Sequence, residues 1–332
     1  MAQDTGTYAF VETGPEDTPA TIPAALDRAV ERFGAREALV DGDLRLTFAQ
    51  LATEVDRAAA ALLASGVEPG ERIGIWAPNV AEWVIAGLAI HRIGAVIVTM
   101  NTRFKGSEAA YILRTAGARR LFTVTDFLDT DYVALLREAP DAPELEEIVV
   151  LRGSVPDGAE AWKTFLDRGA GVDREAVTTR AAAVASDDVC DILFTSGTTG
   201  APKGAMLCHG PTVRAYTAWS DVVGLREGDR YLIINPFFHS FGLKAGILAS
   251  LLTGATIIPH PVFDVDAVMA RVAEERVTML PGPPAIYQTI LDHPDRGAHD
   301  LSSLRLAVTG AAVVPVEMIR RMRAELTFRT IV

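Results

Sequence analysis

The chain has 332 residues, of which 43 are acidic and 31 basic, for a net charge of −12. This excludes an extended surface for nucleic-acid phosphates. Apolar residues make up 49% and charged residues 22%, a mix that buries a large core and excludes disorder as the main state. At ~150 residues per domain the length suggests two domains, or one large α/β unit with a repeated sheet. The two cysteines, Cys190 and Cys208, form no Cys-x-x-Cys pair. Neither a zinc site nor a disulfide scaffold is indicated, and the thiols read as reduced and cytoplasmic. The N-terminus has no cationic start followed by an apolar stretch, and no later run approaches ~18 apolar residues. The expectation is a chain that is neither secreted nor membrane-spanning.

From about Pro23 onward, helical stretches alternate with short β-branched runs, the pattern of an α/β fold with largely parallel strands. Thr47-Phe-Ala-Gln50 forms a capping box, after which Leu51, Val55, Ala58, Leu62 and Leu63 recur at helical spacing until Gly66. Strands are predicted over 72–77, 95–100, 120–125 and 148–151, and helices over 80–93, 107–116 and 132–138, together one sheet with its helices. Between 140 and 186 the chain is richer in Pro, Gly, Ala and acidic residues, with one helix over 160–167. A subdomain boundary is expected there, dividing 15–180 from 187–332. The second part repeats the alternation, with strands over 191–195, 231–235, 255–259, 278–280, 305–309 and 327–332. Its helices fall over 211–223, 243–253, 265–275, 284–292 and 315–325.

The richest segment chemically is Cys190-Asp-Ile-Leu-Phe-Thr-Ser-Gly-Thr-Thr-Gly-Ala-Pro-Lys-Gly204. A buried strand opens into a loop able to wrap a polyphosphate. Gly197, Gly200 and Gly204 let backbone N–H groups approach phosphate oxygens, Thr195, Ser196, Thr198 and Thr199 add hydroxyl donors, and Lys203 adds a compact charge. Only four of the 31 basic residues are lysines, so Lys203 stands out. A Walker A loop needs Gly-Lys-Ser/Thr, whereas here Pro202 precedes the lysine and Gly204 follows it, so a P-loop ATPase is rejected. Composition alone leaves phosphate binding and a polar surface turn balanced.

The same segment closely resembles the signature of the adenylate-forming superfamily: acyl-CoA synthetases, aryl-CoA ligases, luciferases and peptide-synthetase adenylation domains. Asn235-Pro-Phe-Phe-His-Ser-Phe-Gly242 resembles that family's second motif beside the acyl site. Leu280-Pro-Gly-Pro-Pro284 resembles the strand and turn lining the acyl tunnel, and Thr309-Gly-Ala-Ala312 the segment flanking adenine and the acyl carbonyl. The likeness runs from about Ile22 to Val332, and with Asp300-Leu-Ser-Ser-Leu304 it looks closest to actinobacterial fatty-acyl-CoA synthetases, including those acting on steroid-ring catabolites. The resemblance implies an N-terminal adenylation domain of two stacked α/β subdomains, with the loop over 195–204 on the nucleotide phosphates. It implies Phe238, His239, Gly282, Gly310, Ala311 and Ala312 at the adenine and acyl pocket. His239 would orient or gate the acyl carbonyl, and Lys203 would offset charge on departing pyrophosphate.

Arg103 reads equally as a contact to CoA phosphates or an ordinary surface arginine. Lys244 could meet a carboxylate or CoA, but a solvated helix face is preferred. His91 and His260 take the structural reading. The family's next motif, which supplies a face for adenine and a carboxylate for magnesium, would lie beyond Val332, as would its C-terminal domain. The implied parent activity is therefore ATP- and CoA-dependent acyl-CoA synthesis with magnesium carried by ATP, and the 332 residues alone are expected to be inactive. An acyl-AMP ligase loading a carrier protein, a non-catalytic nucleotide-binding module and a luciferase-like oxygenase stay open as alternatives. The expected partners are a small carboxylic acid, ATP and CoA. Oligomeric state is open, with homodimers common in the family.

Overall fold

The computed structural model describes residues 18–195 and 202–332. Its strands are, in chain order, β1 (Glu37–Asp41), β2 (Leu44–Thr47), β3 (Arg72–Trp76), β4 (Val96–Thr99), β5 (Arg120–Val124), β6 (Glu147–Arg152), β7 (Glu160–Ala161), β8 (Val189–Thr195), β9 (Lys203–Cys208), β10 (Arg230–Ile233), β11 (Thr256–Pro259), β12 (Met279–Pro281), β13 (Leu306–Val308) and β14 (Thr330–Ile331). They form two seven-stranded sheets. The first runs β7-β6-β5-β3-β4-β8-β9 and the second β14-β13-β12-β10-β11-β1-β2. Each is parallel except at one edge, where β8–β9 and β1–β2 pair antiparallel.

The sheets do not divide the chain at the compositional break near 180. β1 and β2, from the first part of the sequence, extend the second sheet through the parallel pair Leu39↔Ile257. β8 and β9, from the second part, extend the first sheet, with Ile97↔Asp191 and Thr99↔Leu193 in register. Periodicity identifies an element without naming its neighbour. The fully buried β4 needs a partner on its open side, and the apolar β8 supplies it. The β1–β2 hairpin and β9 were not among the predicted strands.

The helix Phe48–Ala64 begins as expected: Thr47 Oγ1 accepts from the Gln50 N–H at 3.2 Å, and Gln50 Oε1 accepts from the Thr47 N–H at 2.9 Å. The helix Ala81–Arg92 is apolar almost all round, as befits an element buried on every side. It packs against β1 of one sheet and β3 and β4 of the other. A large core cluster spans both sheets here, and a second cluster fills the space under the helices Val265–Glu275, Pro284–Leu291 and Val316–Glu325. Among the described residues no helix is long and apolar enough to cross a membrane.

Candidate active site

In parallel sheets the loops after the carboxyl ends of the strands converge, and ligands bind there. Here those loops come from both sheets. A cavity of about 660 Å³ is lined by Asn101 to Arg103 after β4, Phe127, Leu128 and Thr130 after β5, Ile234 to Pro236 and Phe238 after β10, Pro261 to Phe263 after β11, and Pro283 after β12.

Two turns on its wall are pinned by side chains that the sequence reading did not single out. Asn79, 3% exposed in the loop after β3, reaches from the first sheet to the second. Its Nδ2 donates to the carbonyls of Ile233 at 2.9 Å and Asn235 at 3.0 Å, and its Oδ1 accepts from the Phe237 N–H at 2.8 Å. One amide thus fixes the start of the Asn235-Pro-Phe-Phe-His turn. The Asn101–Arg103 turn is held by Trp76, whose Nε1 donates to the Asn101 carbonyl at 2.9 Å, and by Tyr132, whose hydroxyl donates to the Thr102 carbonyl at 2.8 Å. These two rings stack with centroids 4.4 Å apart, and burial pushes the Tyr132 hydroxyl up to about 12. The available sequence signal for Asn79 was a Pro-Asn pair just past a buried strand.

The expected phosphate loop connects β8 to β9. Thr195 and Lys203, both exposed, are register partners at its mouth. Ser196, Gly197, Thr198, Thr199 and Gly200 lie outside the described residues. The Tyr111 hydroxyl donates to the Pro202 carbonyl at 3.3 Å, tying the far side of the loop to the helix Gly106–Ala116.

Phe238 is half-buried on the cavity wall, and His239 is exposed beside it. His239 Nδ1 accepts from the Phe241 N–H at 3.2 Å, which puts the proton of the neutral ring on Nε2. Gly242 closes this turn: a Cβ there would stand 2.2 Å from the Pro236 carbonyl oxygen. Gly282 is buried, donates to the Val308 carbonyl at 3.0 Å, and has Ile286 Cδ1 where a Cβ would come within 2.7 Å. Gly310 has open space around it, and Ala311 holds a left-handed φ of 64°. Ala311 and Ala312 are exposed. Among the described residues, the cavity wall includes Phe238 and Arg103 but none of His239, Gly282 and Gly310 to Ala312. Arg103 is exposed, and its own N–H donates to Asn101 Oδ1 at 2.9 Å.

Lys244 is a correction. It lies in a π-helix, Phe241–Leu248, and is fully buried in an ion pair with Asp191 of β8. It is neither on a solvated face nor able to reach CoA or a substrate carboxylate. The reason is local. From Gly242 to Leu248 every residue is buried, so the segment has no polar face for a lysine to join. The informative signal was a lone lysine in an apolar run, where a buried cation requires a partner. His91 is buried with Nε2 at 3.1 Å from Asp191 Oδ1. His260 is half-buried, and burial pushes its ring below the ordinary value.

Comparison with known proteins settles the family. The AMP-binding enzyme family matches residues 26–332. The chain belongs to this family. It is 51% identical over 306 residues to a 7a-methyl-1,5-dioxo-octahydro-1H-inden-4-yl propanoyl:CoA ligase of Mycobacterium tuberculosis, covering 92% of this chain and 60% of that protein. It is 47% identical over 320 residues to the ligase of the same description from Rhodococcus jostii, covering 94% of this chain and 61% of that one. The chain therefore spans about three fifths of the length of these relatives. Among solved structures it resembles the inhibitor-bound N-terminal domain of FACL13 from M. tuberculosis, with a TM-score of 0.80, 27% identity and coverage of 92% and 73%. It also resembles the anthranilate CoA ligase AuaEII in complex with anthranoyl-AMP, with a TM-score of 0.84, 29% identity and coverage of 94% and 58%.

Proposed function

We propose that the whole protein is an ATP-dependent acyl-CoA ligase, of which this chain provides the nucleotide- and acyl-binding part. The observation carrying this is the identity of about half the residues with two propanoyl:CoA ligases, together with a loop over 195–204 suited to polyphosphate. In the first step an oxygen of the substrate carboxylate attacks the α-phosphorus of magnesium-bound ATP, the bond to the β-phosphate oxygen breaks, and pyrophosphate leaves with acyl-AMP formed. In the second, the CoA thiolate attacks the acyl carbonyl and AMP departs. The substrate provides the nucleophile in each step, so the chain's contribution is placement and charge compensation.

On this reading Thr195 and the glycine-rich loop hold the phosphates, Lys203 offsets charge on departing pyrophosphate, and His239 with Phe238 orients the acyl carbonyl. Gly282 and the segment Gly310 to Ala312 approach the acyl and adenine moieties through backbone. Arg103, which lines the same cavity as Pro236 and Phe238, meets CoA phosphates. The acid, carried over from these relatives, is a propanoate borne on a fused-ring ketone.

The test is AMP release by the complete reading frame with a panel of acids, from short and long fatty acids to polycyclic propanoates, with and without CoA. CoA-dependent turnover of the ring-bearing propanoates is expected. Acyl-AMP formed equally well but passed only to a carrier protein overturns the acceptor, and no AMP with any acid overturns the reading.

A further inference from the structure

The Lys244–Asp191 pair is buried at both ends, with side chains 1% and 0% exposed. Asp191 has three side-chain partners. Its Oδ1 meets His91 Nε2 at 3.1 Å, and its Oδ2 takes the Lys244 ammonium and the Cys190 thiol, whose Sγ lies at 2.9 Å. Burial opposes the charge on both ions, and their mutual attraction more than offsets it. Asp191 stays well below the ordinary carboxylate range and Lys244 above the ordinary amine value. His91, Cys190 and Asp191 bring three metal-type ligand atoms within 4.8 Å of one another. The Lys244 ammonium already occupies the cation position, and burial pushes the Cys190 thiol up so that it remains a donor. The group is therefore a charge-paired knot and not a metal site.

Its placement carries the inference. Asp191 lies on β8, four residues before Thr195 at the mouth of the phosphate loop. Lys244 lies in the π-helix that begins two residues after His239. β8 belongs to the first sheet, and the π-helix follows β10 of the second. A π-helix is a rare winding that occurs frequently at functional sites. An apolar pair of the same volume would fill this core at no loss, because both ions give up their water to be there. What the ion pair adds is one fixed geometry, where an apolar contact can slide.

We propose that Lys244 and Asp191 are positioning residues for the ligation chemistry. They lock the helix behind Phe238 and His239 to the strand behind Thr195 and Lys203, and so set the separation between the acyl carbonyl and the α-phosphate. The catalytic consequence rests on the ligase reading above. The mechanical link does not.

The experiment uses the complete protein and the double variant D191N/K244M, which removes both charges at nearly constant volume. K244M alone strands a buried carboxylate and is expected to lose folded protein, so the double decides. Its melting temperature is expected to stay near that of the wild type, while kcat for acid-dependent pyrophosphate exchange falls about 10²-fold and KM for ATP and acid stays within about twofold. Amide hydrogen exchange over 189–195 and 241–248 is expected to accelerate while β5 and β6 stay unchanged. Wild-type kcat in a folded double variant overturns the proposal, and so does unchanged exchange in both segments. A double variant that does not fold makes the pair a stability element and overturns it too. A wild-type protein without exchange activity overturns the ligase reading, and the amide exchange then decides the link by itself.

Discussion

Asn79 illustrates how one buried amide sets a site. Its three hydrogen bonds all go to backbone groups at the end of β10 and in the turn that carries Phe238 and His239. Asn79→Ala leaves those groups without their partner in a dry environment and is expected to cost about 2–3 kcal/mol of unfolding free energy in urea titration. It is also expected to lower turnover, because a turn displaced by a fraction of an ångström misplaces what it carries. Lys203 differs in kind. It is exposed at the mouth of its loop, so Lys203→Ala is expected to leave the melting temperature unchanged. On the proposed reading, kcat for adenylation falls by about 10²–10³-fold. An equal loss of stability and rate would assign Lys203 to the fold instead. The contrast also marks what was legible. Lys203 stood out by its glycine-rich neighbours and its rarity, whereas the importance of Asn79 depends on a partner more than 150 residues away. Lys244 misled for a related reason: periodicity has no meaning in a segment buried on all sides.

At the scale of elements, local signals served well where they were self-contained. The Thr47–Gln50 box was readable because both partners lie within one turn, and both hydrogen bonds are present. Thr47→Ala is expected to cost about 1 kcal/mol, measured as a drop of about 2 °C in thermal midpoint. No change would mean that tertiary packing alone sets the start of this helix. Strand pairing was not local and was not legible. The β1–β2 hairpin and β8 each join the sheet that a division near 180 does not assign to them, since a run of apolar residues records burial but not which neighbour provides it. The consequence reaches the candidate site, because the exchanged β8 brings the start of the proposed phosphate loop into the sheet whose other loops present Asn79 and Arg103. The composition of the 190–204 segment suggests a chemistry, and the topology shows which loops its two ends lie among.

For the molecule as a whole, the buried histidines predict acid sensitivity. Burial pushes His209 down to about 3, and burial also lowers His91 against the pull of Asp191. A histidine held neutral in the fold and free to protonate when unfolded stabilises fully above the unfolded value near 6.5. That stability is lost as pH falls toward the folded value. Unfolding free energy is therefore expected to be flat from about pH 8 to 7 and to decline below about 6.5, by ~1.4 kcal/mol per pH unit for each such proton. His209 Nδ1 accepts the Ile22 N–H at 3.3 Å, a bond that glutamine can replace. His209→Gln is therefore expected to make the acid limb shallower by that one-proton share, and an unchanged slope would show that other groups dominate.

On the proposed reading, the whole protein activates a carboxylate on ATP and hands it to CoA. The most direct measurement is a quench-and-chase with the complete reading frame, a ring-bearing propanoate and ATP, read by mass spectrometry. Acyl-AMP is expected to form only when both acid and ATP are present, and added CoA is expected to convert it stoichiometrically to acyl-CoA and AMP. Absence of acyl-AMP, or acyl-AMP that persists in the presence of CoA, would contradict it.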